Sequence, residues 1–216
     1  MQVAPLTLAV RAVTSSEETL RRLSMRRRLD FYHDRGLAHL RQHARKVFVH
    51  ARVRARIDPF LEMAGSYNIL RRIVDEIARP IYATPPTRRV VGSASDARAY
   101  SVILNSIRYD AKMDLSARLV QFTNRIWHLY RIDDRLGIVM SVLTPDTTTA
   151  IPDPSDPSRD IALIYNVAGG YTYIDDEETF TFDSQGKILR SETFAEPTPI
   201  PVVCIHKRES LDGMDS

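Results

Sequence analysis

At Arg125 the chain changes its hydrophobic period, and that change limits what it can fold into. Upstream, Leu37, Leu40, Ala44, Val47, Phe48, Ala51 and Ala55 recur at three- and four-residue steps, the spacing of an amphipathic helix. Downstream, the run Arg125-Ile-Trp-His-Leu-Tyr-Arg-Ile132 is rich in aromatic and β-branched residues and alternates every two, as a strand does. Helices followed by antiparallel strands make an α+β chain, with a mainly helical segment over 1–124 and a β segment over 125–216.

Local signals fill in the elements. Ser15 and Glu18 are spaced as a capping box, so a helix starts there with Leu20 and Leu23 on one face. Asp58-Pro59 ends the helix that begins near Leu37, because a residue before proline avoids the α region. The next helix runs from Asn68 to Arg79, with Ile69, Ile73 and Ile77 in one row and Pro80 closing it. Thr84-Pro85-Pro86-Thr87 reads as a stiff connector, and Ser93 to Leu104 is open between helix and loop. Asp110 to Phe122 is a helix with Met113, Ala117 and Val120 turned inward. After Asp133-Asp134-Arg135-Leu136-Gly137 turns the chain, Ile138 to Thr144 pairs back. A loop punctuated by proline and aspartate then runs from Pro145 to Pro157. Strands are expected at 161–167, 171–174, 178–182, 187–194 and 200–205.

Composition excludes several classes. With 44% hydrophobic and 26% charged residues the chain can build a core. No apolar run approaches the roughly 20 residues that cross a bilayer, so no membrane role is expected. One cysteine, Cys204, rules out an internal disulfide and a four-cysteine zinc site, and fits a reducing birthplace. The charge is split. Residues 1–100 carry 19 Lys+Arg against 9 Asp+Glu, a balance of +10; residues 101–216 carry 11 against 18, a balance of −7. A basic half attracts a polyanion such as DNA, or the acidic half of a neighbouring copy.

Few side chains are placed to carry chemistry. Arg26, Arg27 and Arg28 form one run; Arg41, Arg45, Arg52 and Arg56, spaced by four, seven and four, share a helical face. They suit a solvated face, an acidic neighbouring subunit or DNA phosphate, and no base-reading motif accompanies them. His39 and His43 stand four apart without the adjacent glutamate of a metalloprotease helix. Asp175-Asp176-Glu177-Glu178 is the strongest carboxylate cluster, but consecutive residues point different ways, so a solvated turn is expected over a metal-dependent nuclease. Cys204 sits in an apolar run, where a thiol is inert. Gly169-Gly170 lacks the Lys-Ser/Thr of a phosphate loop and makes a turn. No cofactor and no enzymatic activity are expected.

The order of the segments resembles the N-terminal region of tailed-bacteriophage portal proteins. The stretch Asn68-Ile-Leu-Arg-Arg-Ile-Val-Asp-Glu-Ile-Ala-Arg-Pro-Ile-Tyr-Ala-Thr-Pro-Pro86 is similar to a family segment of the type N-x-x-x-x-I-V-D…Y…P. Trp127–Arg131, Leu143-Thr-Pro-Asp146 and Asp153-Pro-Ser-Asp-Pro157 follow as the family's strand pair and its Asp/Pro-rich step. Ile161–Phe194 matches its small twisted β unit, and Ile200-Pro-Val-Val-Cys-Ile-His206 its proline-led strand. The resemblance extends from about Tyr32 to His206.

It implies a portal wing, peripheral helices plus a small SH3-like β unit, within a subunit of a dodecameric ring at one capsid vertex. DNA is packaged and ejected through such a ring. The implied partners are other copies of the chain, the major capsid protein, the head-tail connector, the terminase and the packaged DNA. The implied location is the virion, after synthesis in the host cytoplasm. Stem, clip and crown of a portal fall outside these 216 residues, so no channel or terminase role attaches to a residue here. Apolar contact between copies is expected around Pro80–Pro86 and Trp127–Tyr130. Alternatives are a DNA-binding module built on the arginine helices, or a metal-dependent nuclease.

Overall fold

A computed structural model of the chain describes residues 5–47, 59, 68–82, 86–133, 135, 137–156 and 159–206. Its helices are α1 (Pro5–Thr14), α2 (Ser16–Tyr32), α3 (Gly36–Val47), α4 (Ile69–Tyr82), α5 (Ala94–Ser106) and α6 (Tyr109–Thr123). The strands are β1 (Arg125–Asp133), β2 (Gly137–Leu143), β3 (Thr148–Pro152), β4 (Asp160–Val167), β5 (Gly170–Ile174), β6 (Glu178–Phe182), β7 (Ile188–Thr193) and β8 (Val202–His206). Every strand pairing among them is antiparallel. One sheet has the order β2-β1-β8, and the other is the meander β3-β4-β5-β6-β7. The protein is α+β.

Strand alternation builds the layers. Successive side chains leave a strand on opposite faces. On β1, Ile126 packs with Leu29 and Tyr32 of α2, Val74 of α4, and Leu119 and Val120 of α6. Its neighbour Trp127 turns the other way, onto Leu163 of β4 and Ile174 of β5. On β4, Ala162 and Ile164 face away from Trp127 and meet Ala9 and Val13 of α1. The order of layers is therefore α1, five-stranded sheet, three-stranded sheet, remaining helices. Each large apolar side chain buried this way contributes roughly 1.5–3 kcal/mol.

Several elements depart from the sequence expectations. Pro5–Thr14 is a helix that the opening sequence does not announce. Leu20 and Leu23 are exposed, because polar contacts of Arg21 and Arg22 hold the other face of α2 against the meander. On α4 the row Ile69, Ile73, Ile77 faces outward and Val74 and Ala78 are buried. The buried pair sits one residue further on, about 100° around the helix. Helix α4 also runs two residues past Pro80, since a proline near the last turn costs one backbone bond while its φ remains helical. The open stretch settles as the helix Ala94–Ser106, with a full capping box between its N-cap Ser93 and Asp96. Within the expected loop over 145–157, Thr148–Pro152 is a strand, with Pro152 tolerated at its end beside a register shift. The helix expected beyond Val47, with its end at Asp58-Pro59, lies outside the described residues apart from Pro59 itself.

Gly170 is fixed by close approach. A Cβ there would stand 2.1 Å from the Phe182 carbonyl oxygen of the paired strand.

Candidate subunit and nucleic-acid interface

The arginines divide into those engaged within the chain and those exposed on its surface. Ser15 caps α2 by accepting from the Glu18 amide at 3.2 Å. The Glu18 carboxylate is turned instead toward the meander. It accepts from Arg21 Nε at 2.6 Å, from Arg22 Nε at 3.0 Å and from the Thr149 hydroxyl. Burial alone would raise the Glu18 carboxyl, but the hydrogen bonds from Arg21 and Thr149 and the Arg21 charge together hold it below the ordinary carboxylate range. Arg21 also donates to the Thr148 carbonyl, and Arg22 to Thr149 and Asn166. These two arginines fasten α2 to β3 and β4.

A second group ties the helices together. Arg71 bridges Asp34 at 3.0 Å and Asp75 at 3.6 Å, while Arg118 bridges Asp75 and Asp114, both at 2.9 Å. Arg125 spans Asp160 and the Cys204 thiol. That thiol is pushed up by burial, which outweighs the nearby guanidinium. Cys204 is thus a protonated packing residue.

Arg26, Arg27 and Arg28 are exposed on α2. Arg27 shares a cleft of about 240 Å³ with His39, His43 and Lys46 of α3. Arg26 opens on a different cleft, of about 310 Å³, with His33 and Arg35. Of the α3 arginines, Arg45 is exposed and Arg41 half-buried. Arg52 and Arg56 lie outside the described residues. The structure therefore brings Arg27 beside two histidines and Lys46, which the arginine spacing does not suggest. His39 Nε2 meets Asp30 at 2.9 Å, where Arg35 also bridges the carboxylate, so His39 is engaged with an acid.

The carboxylate run forms the β5–β6 turn. Asp175 accepts from the Tyr173 hydroxyl at 2.7 Å and from the amides of Glu177 and Glu178 at 2.9 and 2.7 Å. Burial and the Asp175 hydrogen bond push the Tyr173 phenol well up, and burial with the charges of Asp175 and Glu177 pushes the Glu178 carboxyl up. Among the described residues, no three His, Cys, Asp or Glu side chains are grouped to hold a metal ion.

Of the apolar segments expected to touch a neighbour, Trp127 to Leu129 are buried within the chain and cannot. Exposed apolar side chains occur on several elements, and on α4 four of them, Ile69, Leu70, Ile73 and Ile77, lie close together. Among the described residues no helix is long and apolar enough to cross a membrane. The chain matches no family model and no curated protein.

Proposed function

We propose that this chain is the wing region of a portal subunit of a tailed bacteriophage, a structural protein of the virion. The observation that carries the reading is the order of its segments. Helix α4, the β1–β2 pair, the Asp/Pro-rich step after β3, the aromatic meander and the proline-led β8 follow one another as they do in that family. The subunit joins a ring at one capsid vertex, where DNA enters and leaves and the tail connector attaches. Its neighbours meet it head to tail, each copy offering two different faces. Apolar burial on the outward row of α4 supplies affinity, and the contrast between a +10 and a −7 half sets register, since exposed ion pairs give about 0–1 kcal/mol each. Light scattering across a salt series tests this. Self-association of the 216 residues should be weak and should fall further as salt rises.

The cleft that gathers Arg27, His43 and Lys46 favours a second reading, contact with a phosphate backbone. A DNA affinity that falls steeply with salt and depends on Arg26, Arg27 and Arg28 supports it; an affinity indifferent to both removes it.

A further inference from the structure

Four strand edges border the two sheets, and they are not treated alike. The outward carbonyl of Thr148 on β3 accepts from Arg21, and that of Met140 on β2 accepts from Lys112. The β8 edge lies along a cleft of about 520 Å³ walled by Pro199 and Ile200. Strand β7 differs, because all six of its residues are exposed, Ile188 and Leu189 included. An edge strand exposed on both faces is a template for another strand.

The phase of its backbone is fixed. Phe194 N–H donates to the Glu177 carbonyl, so Arg190 and Glu192 bond β6 and the amides and carbonyls of Ser191 and Thr193 point outward. The register between β6 and β7 shifts at Leu189, which limits the regular edge to a short stretch.

We infer that β7 pairs antiparallel with β7 of a second copy about a twofold axis at Ser191. Charge selects that register. With Ser191 opposite its own mate, Arg190 of each copy faces Glu192 of the other in a non-hydrogen-bonded pair, where side chains are closest. Sliding by two residues one way sets Arg190 against Arg190, and the other way Glu192 against Glu192. Within one copy the two side chains stand 4.0 Å apart and largely exposed, so both are available to cross. The pairing is separate from the head-to-tail ring contact, because a twofold contact closes on itself. It also uses the sheet edge opposite β3, which α2 covers.

Sedimentation equilibrium of the 216-residue chain, up to concentrations on the order of 1 mM, tests the pairing. A monomer–dimer equilibrium is expected. Arg190→Glu or Glu192→Arg alone should raise its dissociation constant on the order of tenfold, since two attractive cross-strand pairs become repulsive together. The double variant should restore it. Ser191→Pro should abolish the dimer with the circular dichroism spectrum unchanged, because the amide it removes does not bond β6. A chain that stays monomeric overturns the inference. So does a dimer indifferent to Ser191→Pro, or single reversals that the double variant does not repair.

Discussion

Trp127 Nε1 donates a 2.8 Å hydrogen bond to Asp160 Oδ2, joining β1 of one sheet to β4 of the other across the core between them. Asp160 has a side chain only 7% exposed, and its second oxygen faces the Arg125 guanidinium at 3.3 Å. Trp127→Phe keeps most of the ring volume and leaves that carboxylate short of a donor. Unfolding free energy by urea titration should fall by about 1–3 kcal/mol. A change within error would mean that the sheets are held by apolar contact alone.

His128 is buried on β1, with Nε2 2.7 Å from the Ser116 hydroxyl of α6. Burial first, and the Lys112 charge second, push its pKa below the ordinary 6.5. The unfolded chain therefore binds the proton more readily than the folded one. Protonation therefore favours the unfolded chain, so stability is fullest above about pH 6.5, declines as pH falls below it, and levels off once the folded residue is protonated too. Thermal midpoints at pH 7.5 and 5.5 should differ more for the native chain than for His128→Gln. Equal pH dependence in both would contradict this account of the residue.

The β5–β6 turn should be structural. Asp175→Ala removes the acceptor of three hydrogen bonds and should cost about 1–3 kcal/mol. Alanine at Asp176 or Glu177, both exposed, should cost little. Alanine at Asp175, Asp176, Glu177 and Glu178 should leave any DNA-related activity unchanged. Metal-dependent cleavage by purified protein that vanishes with these changes would overturn the reading of the turn.

Reversing Arg26, Arg27 and Arg28 to glutamate should leave the melting midpoint nearly unchanged, since the side chains are exposed. If phosphate is their partner, DNA affinity should fall and its salt slope should drop by about one for each phosphate no longer neutralised. A large drop in the melting midpoint would instead assign these arginines to the fold.

The period switch at Arg125 makes the α+β class legible, because periodicity is local and survives whatever the chain packs against. Which apolar row faces in is less legible. Helix α4 carries two, and only the positions of α2 and α6 decide that Val74 and Ala78 are buried while Ile73 and Ile77 are not. Strand β3 is hidden by the aspartates and prolines around it. In sequence Arg21 and Arg22 look equivalent to Arg26 and Arg27, yet their partners Thr148 and Thr149 stand 127 residues away. No spacing rule on α2 can separate the two groups.

The central claim concerns assembly, and images of single particles test it most directly. Negative-stain electron microscopy of the protein made from its complete reading frame should show closed rings with a central opening. A side-chain change on the outward row of α4, such as Ile73→Asp, should reduce their number. A product that remains monomeric at the crowded concentrations of an infected cell would contradict the portal reading itself.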